Sequence, residues 1–236
     1  MNTVPDPPRD SRPRLDRDLI VQTAITSIDT HGVQGLTMRR VGQDLGVAAM
    51  SLYRYVSGRE ALLEAVVEKL MDGVTARADA VGFTSWQGYL QVLANEVRRV
   101  AQAHPAAFPL VASRHPATPW LRPPLRSIEL VEHFLATLSD FGFDDIRAVD
   151  AYKAFTTFLI GSLLLEVAAH GEDILSVDET LNEGEAAIPE QDAYFDLQQA
   201  PHVCRMQDRL SQDTTAQEFE IGLEALIDRI ERSVSQ

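Results

Sequence analysis

The chain has 236 residues, of which 45% are hydrophobic, so it holds enough apolar material for one large or two smaller packed domains. Its single cysteine, Cys204, excludes an intramolecular disulfide framework and any zinc site built from several cysteines, and it fits a cytoplasmic protein. The net charge of −14 argues against a nucleic-acid partner for the chain as a whole.

The charge is unevenly distributed, however, and this removes the objection to DNA. Residues 1–75 carry nine Lys and Arg against ten Asp and Glu, whereas the rest of the chain carries twelve against twenty-five. Within residues 37–59, four arginines face Asp44 alone. A small basic head on an acidic body would dock on DNA in one orientation, because the duplex repels the body.

Residues 1–15 are rich in proline and predict a flexible arm. Its three arginines either reach a phosphate or the minor groove, as basic arms do, or belong to a solvated tail. The arm contains no apolar segment typical of a secretory signal. The most apolar run, residues 155–169, is too short for a membrane span and contains Glu166, so no membrane partner is expected.

Residues 16–74 predict a compact head of short helices. Asp16 is a good N-cap for a first helix over residues 17–30, which has apolar residues at i, i+3, i+4 and i+7 and ends at Gly32. At the other end of the head, a dense apolar stripe over residues 59–74 predicts a connector helix that packs on both the head and the body.

Residues 37–59 predict two short helices joined by a tight turn. Thr37 caps the first helix, because its hydroxyl can accept from an amide two or three residues later, and Gly46 supplies the positive φ of the turn. The second helix, over residues 48–56, brings together hydrogen-bonding, aromatic and cationic side chains that suit phosphates and base edges. They are Ser51, Tyr53, Arg54 and Tyr55. This layout is typical of a DNA-binding helix-turn-helix.

Residues 75–236 predict a larger helical body. Apolar residues at helical spacing mark segments at 86–104, 106–113, 125–141, 145–170, 193–210 and 215–234. Ser85 and Asp144 are the N-caps of two of them. The acidic stretch 172–192 has little periodicity and predicts a flexible loop. No segment alternates convincingly as a strand would, so the chain is predicted to be all-α, with nine or ten helices.

The head resembles the TetR/AcrR family of bacterial repressors through residues 32–66, GVQGLTMRRVGQDLGVAAMSLYRYVSGREALLEAV. The matching motifs are a Gly-x-x-Gly-Leu-Thr entry, a Val-Gly-x-x-Leu-Gly-Val turn and Leu-Tyr-x-Tyr-Val in the second helix. The body resembles, more weakly, the C-terminal domain of the tetracycline-repressor branch through AHPAAFPLVAS and FGFDDIRAVDAYKAF. The resemblance implies a three-helix helix-turn-helix DNA-binding domain followed by a helical ligand-binding and dimerisation domain.

The family pattern also implies which residues of the head contact DNA. They are Thr37, Arg39, Met50, Ser51, Tyr53, Arg54, Tyr55 and Arg59. In that pattern Arg39 lies at a phosphate or a groove edge, Tyr53 donates to a phosphate, and Arg59 clamps the DNA backbone. Tyr53 can instead be half-buried packing, and Arg40 a solvated surface charge.

This sequence departs from the family pattern in the recognition helix. Residues 48–50, Ala-Ala-Met, stand where many members carry polar base readers, and here they offer only apolar contact, for example to a thymine methyl. Arg54 and Tyr55 are therefore expected to read bases directly.

The resemblance implies a homodimer that binds a palindromic operator and releases it when a small molecule enters the body. Two apolar stripes are too apolar to leave in water and predict a dimer interface at Leu163, Leu164, Val167, Leu223, Leu226, Ile227 and Ile230. The ligand is expected between helices of the body, beside His104, Phe108, His115, Phe134, Tyr152, Phe155 and Thr156. The aromatic members of that set can equally be ordinary core.

Other functions are compatible with the same pattern. An activator or a regulator gated by a protein would have the same fold, and a small helical enzyme is a rival of another class, although no catalytic constellation is visible. In tetracycline-binding members a histidine helps to hold a metal–drug complex. His115 is nearest to it by position, but the sequence around it does not match. The histidines lack metal-ligand spacing, so neither a metal site nor a cofactor is expected.

Overall fold

The computed structural model describes residues 15–113, 118–170 and 200–234, and every regular element in those ranges is helical, which confirms the all-α prediction. The α-helices are α1 Arg17–Gly35, α2 Met38–Asp44, α3 Ala49–Leu52, α4 Arg59–Met71, α5 Val74–Val81, α6 Trp86–Ala103, α7 Ile128–Asp140, α8 Asp145–His170, α9 Pro201–Leu210 and α10 Thr215–Val234. A single 3₁₀ turn, Phe108–Leu110, lies between α6 and α7 within the described ranges. The predicted acidic loop, and the predicted arm apart from Leu15, lie outside those ranges.

The chain divides into two compact units between Val66 and Val67, inside α4. The first unit has one apolar core, formed by Ile20, Ala24, Ile28, Leu36, Val41 and Leu52, all fully buried. Asp16 caps α1 as predicted, because its carboxylate accepts from the Leu19 amide at 2.8 Å. The element continues to Gly35, but Gly32 interrupts its helical backbone with a φ of 69°.

The two helices predicted within residues 37–59 are present, but the second is short. The Thr37 hydroxyl accepts from the Arg40 amide at 3.1 Å, which confirms the predicted cap. Gly46, with a φ of 66°, forms the turn between α2 and α3. The Tyr55 amide donates to the Leu52 carbonyl at 2.9 Å, an i→i+3 bond that tightens the chain into a turn. The predicted helix over 48–56 is therefore α3 followed by a turn over residues 53–55.

The prediction of one continuous connector helix over residues 59–74 is wrong, because the helix is broken near its end. α4 ends at Met71, and Gly73 adopts a left-handed conformation with a φ of 69° before α5 begins. Arg77 Nη1 donates to the backbone carbonyl of Asp72 at 3.1 Å, which satisfies a carbonyl at the break.

The second unit is built around α8, which packs against α6, α7 and α10. The predicted bounds of α8 and α10 are confirmed, and Ser85 and Asp144 cap α6 and α8 as predicted. α8 and α10 approach closely, since a Cβ added to Gly222 would lie 2.6 Å from the Phe158 ring.

Three other helices of the body begin or end differently from the prediction. The segment predicted over 106–113 contains only the 3₁₀ turn, because Pro109 has no amide hydrogen to donate. α7 begins at Ile128, three residues later than predicted, where Ser127 accepts from the Leu130 amide at 3.3 Å. α9 begins at Pro201.

By length and composition alone, α8 could cross a membrane over Asp145–Ala168, which the sequence analysis did not expect. Its packing is that of a core helix. Glu166 is buried within the second unit and forms an ion pair with Arg98 of α6, with an N–O distance of 2.9 Å. A core helix of a helical bundle passes the same compositional test.

Candidate DNA-binding surface and ligand cavity

The end of α3 and the turn after it present an exposed surface of aromatic and cationic side chains. Tyr53, Arg54 and Tyr55 are exposed, while the neighbouring Leu52 is fully buried and fixes the orientation of the segment. Met50 is also exposed and Ser51 is half-buried. The structure thus brings together the five side chains predicted on the recognition helix.

Arg39 and Arg40 differ in their surroundings. Arg40 is half-buried and its guanidinium contacts His31 Nε2. Arg39 is exposed and has no hydrogen bond or ion pair to another residue that the structure describes. A cation without a protein partner can exchange its hydration for a phosphate at little cost, so Arg39 is the better candidate for a DNA contact. Thr37, next to α2, is exposed and serves as its cap.

Arg59 has a structural role that sequence reasoning missed. Its Nε donates to the Leu36 carbonyl and its Nη2 to the Val33 carbonyl, both at 3.0 Å. Val33 lies in the last turn of α1 and Leu36 directly follows that helix, so the guanidinium fastens the end of α1 to the start of α4. The predicted clamp on the DNA backbone stays a prediction. It is compatible with these bonds, because among the described residues Nη1 contacts only the exposed Glu60 carboxylate, at 3.4 Å.

Arg59→Ala is expected to lower the free energy of unfolding by about 1.5–3 kcal/mol, because the partly buried carbonyls of Val33 and Leu36 lose a charged hydrogen-bond donor. Urea unfolding measures this. Arg39→Ala is the matched control, since it removes an exposed cation and should leave stability within about 0.5 kcal/mol. Unchanged stability in Arg59→Ala would contradict the structural role of the two hydrogen bonds.

A small cavity lies in the second unit between α6, α7 and α8. Four of the predicted ligand residues line it: Phe134, Tyr152, Phe155 and Thr156. The rest of the lining is aliphatic and was not predicted, and it comprises Leu93, Val97, Leu125, Leu130, Leu159 and Ile160. The cavity measures about 10 Å³, which is space for about one water molecule.

The cavity offers a few hydrogen-bonding groups on an apolar wall. The Tyr152 hydroxyl donates to the Pro123 carbonyl at 3.1 Å, and burial raises the pKa of Tyr152 to about 12. The phenol is therefore a neutral donor at physiological pH. Thr156 supplies a second buried hydroxyl. This lining suits an apolar or aromatic molecule with one or two polar groups.

The structure does not bring the other three predicted ligand residues to this cavity. Phe108 is fully buried in the core but does not line the cavity, and neither does His104. His115 lies outside the described residues. Sequence position alone suggested these three, and no periodicity supported them.

Five of the predicted dimer residues are buried within the protomer itself, and their role at an interface stays a prediction. They are Leu163, Val167, Leu223, Ile227 and Ile230. Leu164 and Leu226 are half-buried and do reach the surface. Beside them, Leu165 and Ile221 are 67% and 56% exposed and were not predicted.

Among the described residues, no group of three or more His, Cys, Asp or Glu side chains could hold a metal ion. His133 forms contacts to two other helices instead. Its Nδ1 hydrogen-bonds the Tyr89 hydroxyl at 3.0 Å and its Nε2 lies 3.2 Å from the Asp79 carboxylate. These bonds tie α5, α6 and α7 together.

Comparison with known proteins assigns both units. Residues 20–66 match the bacterial regulatory proteins of the tetR family, and residues 79–234 match the tetracyclin repressor-like C-terminal domain. The chain belongs to the TetR family. Both matches agree with the resemblance carried by the helix-turn-helix and by the body motifs.

Individual members of the family are similar over nearly the whole chain. The HTH-type transcriptional repressor DrrR1 of Streptomyces coeruleorubidus is 27% identical over 98% of this chain and 82% of its own length. A possible TetR family regulator from Streptomyces coelicolor has a TM-score of 0.73 at 28% identity, covering 92% of this chain and all of that one. ActR from the same organism, solved with actinorhodin, has a TM-score of 0.66 at 22% identity, covering 94% of this chain and 97% of that one, and shows the shared fold.

Proposed function

We propose that this protein is a transcriptional repressor that binds a palindromic operator as a homodimer and releases it when an apolar or aromatic small molecule enters the body. DNA binding is supported by four exposed side chains on a helix-turn-helix whose apolar core is fully buried. They are Arg39, Tyr53, Arg54 and Tyr55. A repressor among its relatives, DrrR1, matches it over nearly the whole length.

The cavity carries the ligand half of the proposal. At about 10 Å³ it is too small for an inducer, so a ligand must displace side chains or helices as it enters. A ligand that fits only an expanded body has different affinities for the two states, and such a difference is what shifts a population. The expanded state would hold the two heads of the dimer at the wrong separation for successive major grooves.

We place the dimer interface on α8 and α10, through the side chains that reach the surface. These are Leu164, Leu165, Ile221 and Leu226. Large exposed apolar side chains on two helices that pack on each other form a continuous surface that a second copy can cover. Four helices would then meet across a two-fold axis.

The test is a selection of random duplexes on the protein, followed by a screen of hydrophobic compounds against the selected operator. An enriched palindrome is expected, with half-sites about one helical turn apart. An inducer should raise the melting temperature and release the operator, since a ligand at about 100 times its Kd adds roughly 2.7 kcal/mol. Failure to enrich any sequence would overturn the repressor, and release by no compound would favour gating by a protein.

Arg54→Ala is expected to reduce discrimination among operator variants by about 1–3 kcal/mol, because an arginine that reads a guanine forms two base-edge hydrogen bonds. Fluorescence anisotropy across an operator library measures this. Arg39→Ala is the control, since a lost phosphate contact should weaken all sequences alike and lower the salt slope by about one unit. If both variants shift every sequence equally, Arg54 is not a base reader.

A further inference from the structure

Two hydroxyl groups and no charged side chain belong to the described residues that line the apolar cavity. The hydroxyls are those of Tyr152 and Thr156, and all the other lining side chains are hydrocarbon. Both residues are only 4% exposed, so neither hydroxyl can rely on solvent for its hydrogen bonds. The hydrogen atoms and lone pairs of these two groups therefore decide which polar groups a ligand can bring into the cavity.

The two hydroxyls form a chain of hydrogen bonds that runs in one direction. The Tyr152 hydroxyl lies 3.1 Å from the Pro123 carbonyl, which can only accept. This bond uses the single hydroxyl hydrogen of Tyr152. The Thr156 hydroxyl also hydrogen-bonds the Tyr152 hydroxyl, so the hydrogen of that second bond must come from Thr156. Thr156 therefore donates to Tyr152, and Tyr152 donates to Pro123.

Thr156 differs in this respect from three threonines of α1. The hydroxyls of Thr23, Thr26 and Thr30 each donate to the carbonyl four residues earlier in their own helix. Thr156 has no other hydrogen bond to a described residue, so its hydrogen is directed to Tyr152. Its oxygen keeps unused lone pairs at the cavity wall, and donation to Tyr152 makes that oxygen a stronger acceptor.

We propose that the cavity selects neutral ligands that carry a hydrogen-bond donor, such as a phenol hydroxyl, and that Thr156 accepts this donor. The inference rests on the proposed function, because it concerns the ligand that enters this cavity. A ligand with acceptors alone would find no free donor, since both hydroxyl hydrogens are already in use. A carboxylate would lose its hydration without gaining a donor, and an ammonium group would find no carboxylate in the described lining.

Phenol and anisole provide the test, because they share an aromatic ring but anisole carries an ether oxygen in place of the donor. Calorimetry on the full chain at pH 7, where phenol is neutral, should give a Kd of about 1–10 mM for phenol. Anisole should bind at least about five-fold more weakly, since it leaves the lone pairs of Thr156 unpaired. Benzoate should show no saturable binding, because it is an anion without a donor in the cavity.

Three variants locate the binding at Thr156. Thr156→Val keeps the shape of the side chain but removes the acceptor, so it should weaken phenol binding by about five-fold and leave anisole unchanged. Thr156→Ser keeps the hydroxyl and should retain the preference for phenol. Thr157→Val makes the same change at an exposed position of α8 and should alter the affinity for neither probe.

Tyr152→Phe tests the direction of the hydrogen-bond chain. It removes the group that accepts the Thr156 hydrogen, so this hydrogen becomes available to the ether oxygen of anisole. The preference for phenol should then fall below about two-fold, because anisole binds more tightly than it does to the wild type. Unchanged anisole affinity in Tyr152→Phe would contradict the direction of donation.

Several outcomes would overturn the selection of donors. They are equal affinities for phenol and anisole, saturable binding of benzoate, and a preference for phenol that survives Thr156→Val. In each of these cases the cavity of the proposed function would still hold a ligand, and only its specificity would be wrong. Absence of saturable binding by phenol and anisole would overturn the selection as well. DNA takes no part in these measurements, so a failed operator selection would leave their results unchanged.

Discussion

Leu165→Glu should convert the dimer to monomers and abolish tight operator binding. Leu165 is 67% exposed in the protomer, so a glutamate there leaves the protomer folded. In the proposed interface the same carboxylate would be removed from water without a partner, at a cost of about 3 kcal/mol or more. That corresponds to a rise of at least about 100-fold in the dimer Kd. Ile221→Glu, on α10, should have the same effect.

Analytical ultracentrifugation and operator titration measure the two consequences together. The matched control is Ile146→Glu, which places the same charge at a 76% exposed position near the start of α8, away from the proposed interface. The control should sediment as a dimer with full operator affinity. Should Leu165→Glu also remain a dimer, the interface lies elsewhere on the body. Ile230→Glu is a poor choice for this test, because Ile230 is buried in its own protomer and the charge would unfold it.

N-cap side chains made the starts of four helices predictable. Each of these side chains accepts a hydrogen bond from the backbone amide three residues later, in Asp16, Thr37, Ser85 and Asp144. A capping residue in front of an apolar stripe was therefore enough to find the start of a helix. Long stripes were equally informative, since the bounds of α8 and α10 were predicted correctly. Gly73 was missed because the apolar stripe continues across it, and a lone glycine is tolerated within a helix.

Contacts between distant residues could not be predicted in the same way. Arg59 bonds carbonyls 23 and 26 residues earlier, and Arg98 pairs with a carboxylate 68 residues later. A stripe reveals that a helix face is buried but not what buries it. Leu163 and Leu223 were therefore assigned to a partner, and the structure shows that their own protomer buries them. The cavity was predicted through its aromatic members, while aliphatic lining such as Leu93 looks the same as any core residue in sequence.

Arg98→Met should be among the most destabilising single substitutions in the body. It leaves Glu166, 4% exposed, without its guanidinium partner, and breaking a buried ion pair in this way costs about 3–5 kcal/mol. For a chain of this size each kcal/mol lowers the melting temperature by about 2–4 °C, so a decrease of roughly 6–20 °C is expected. The exposed pair between Lys69 and Asp72 is the control, and Lys69→Met should cost less than about 1 kcal/mol.

The double variant Arg98→Met/Glu166→Met distinguishes the effect of the unpaired charge on stability from the effect of lost side-chain packing. Removing both charges also removes the cost of burying them, so most of the lost stability should return. Calorimetry and urea unfolding of the wild type, Arg98→Met, Glu166→Met and the double variant give the coupling between the two residues, which should exceed about 2 kcal/mol. This expectation fails if Arg98→Met lowers the free energy of unfolding no more than Lys69→Met does. It also fails if the double variant is as unstable as Arg98→Met, because the loss would then come from the stacking of the Arg98 guanidinium on Phe219.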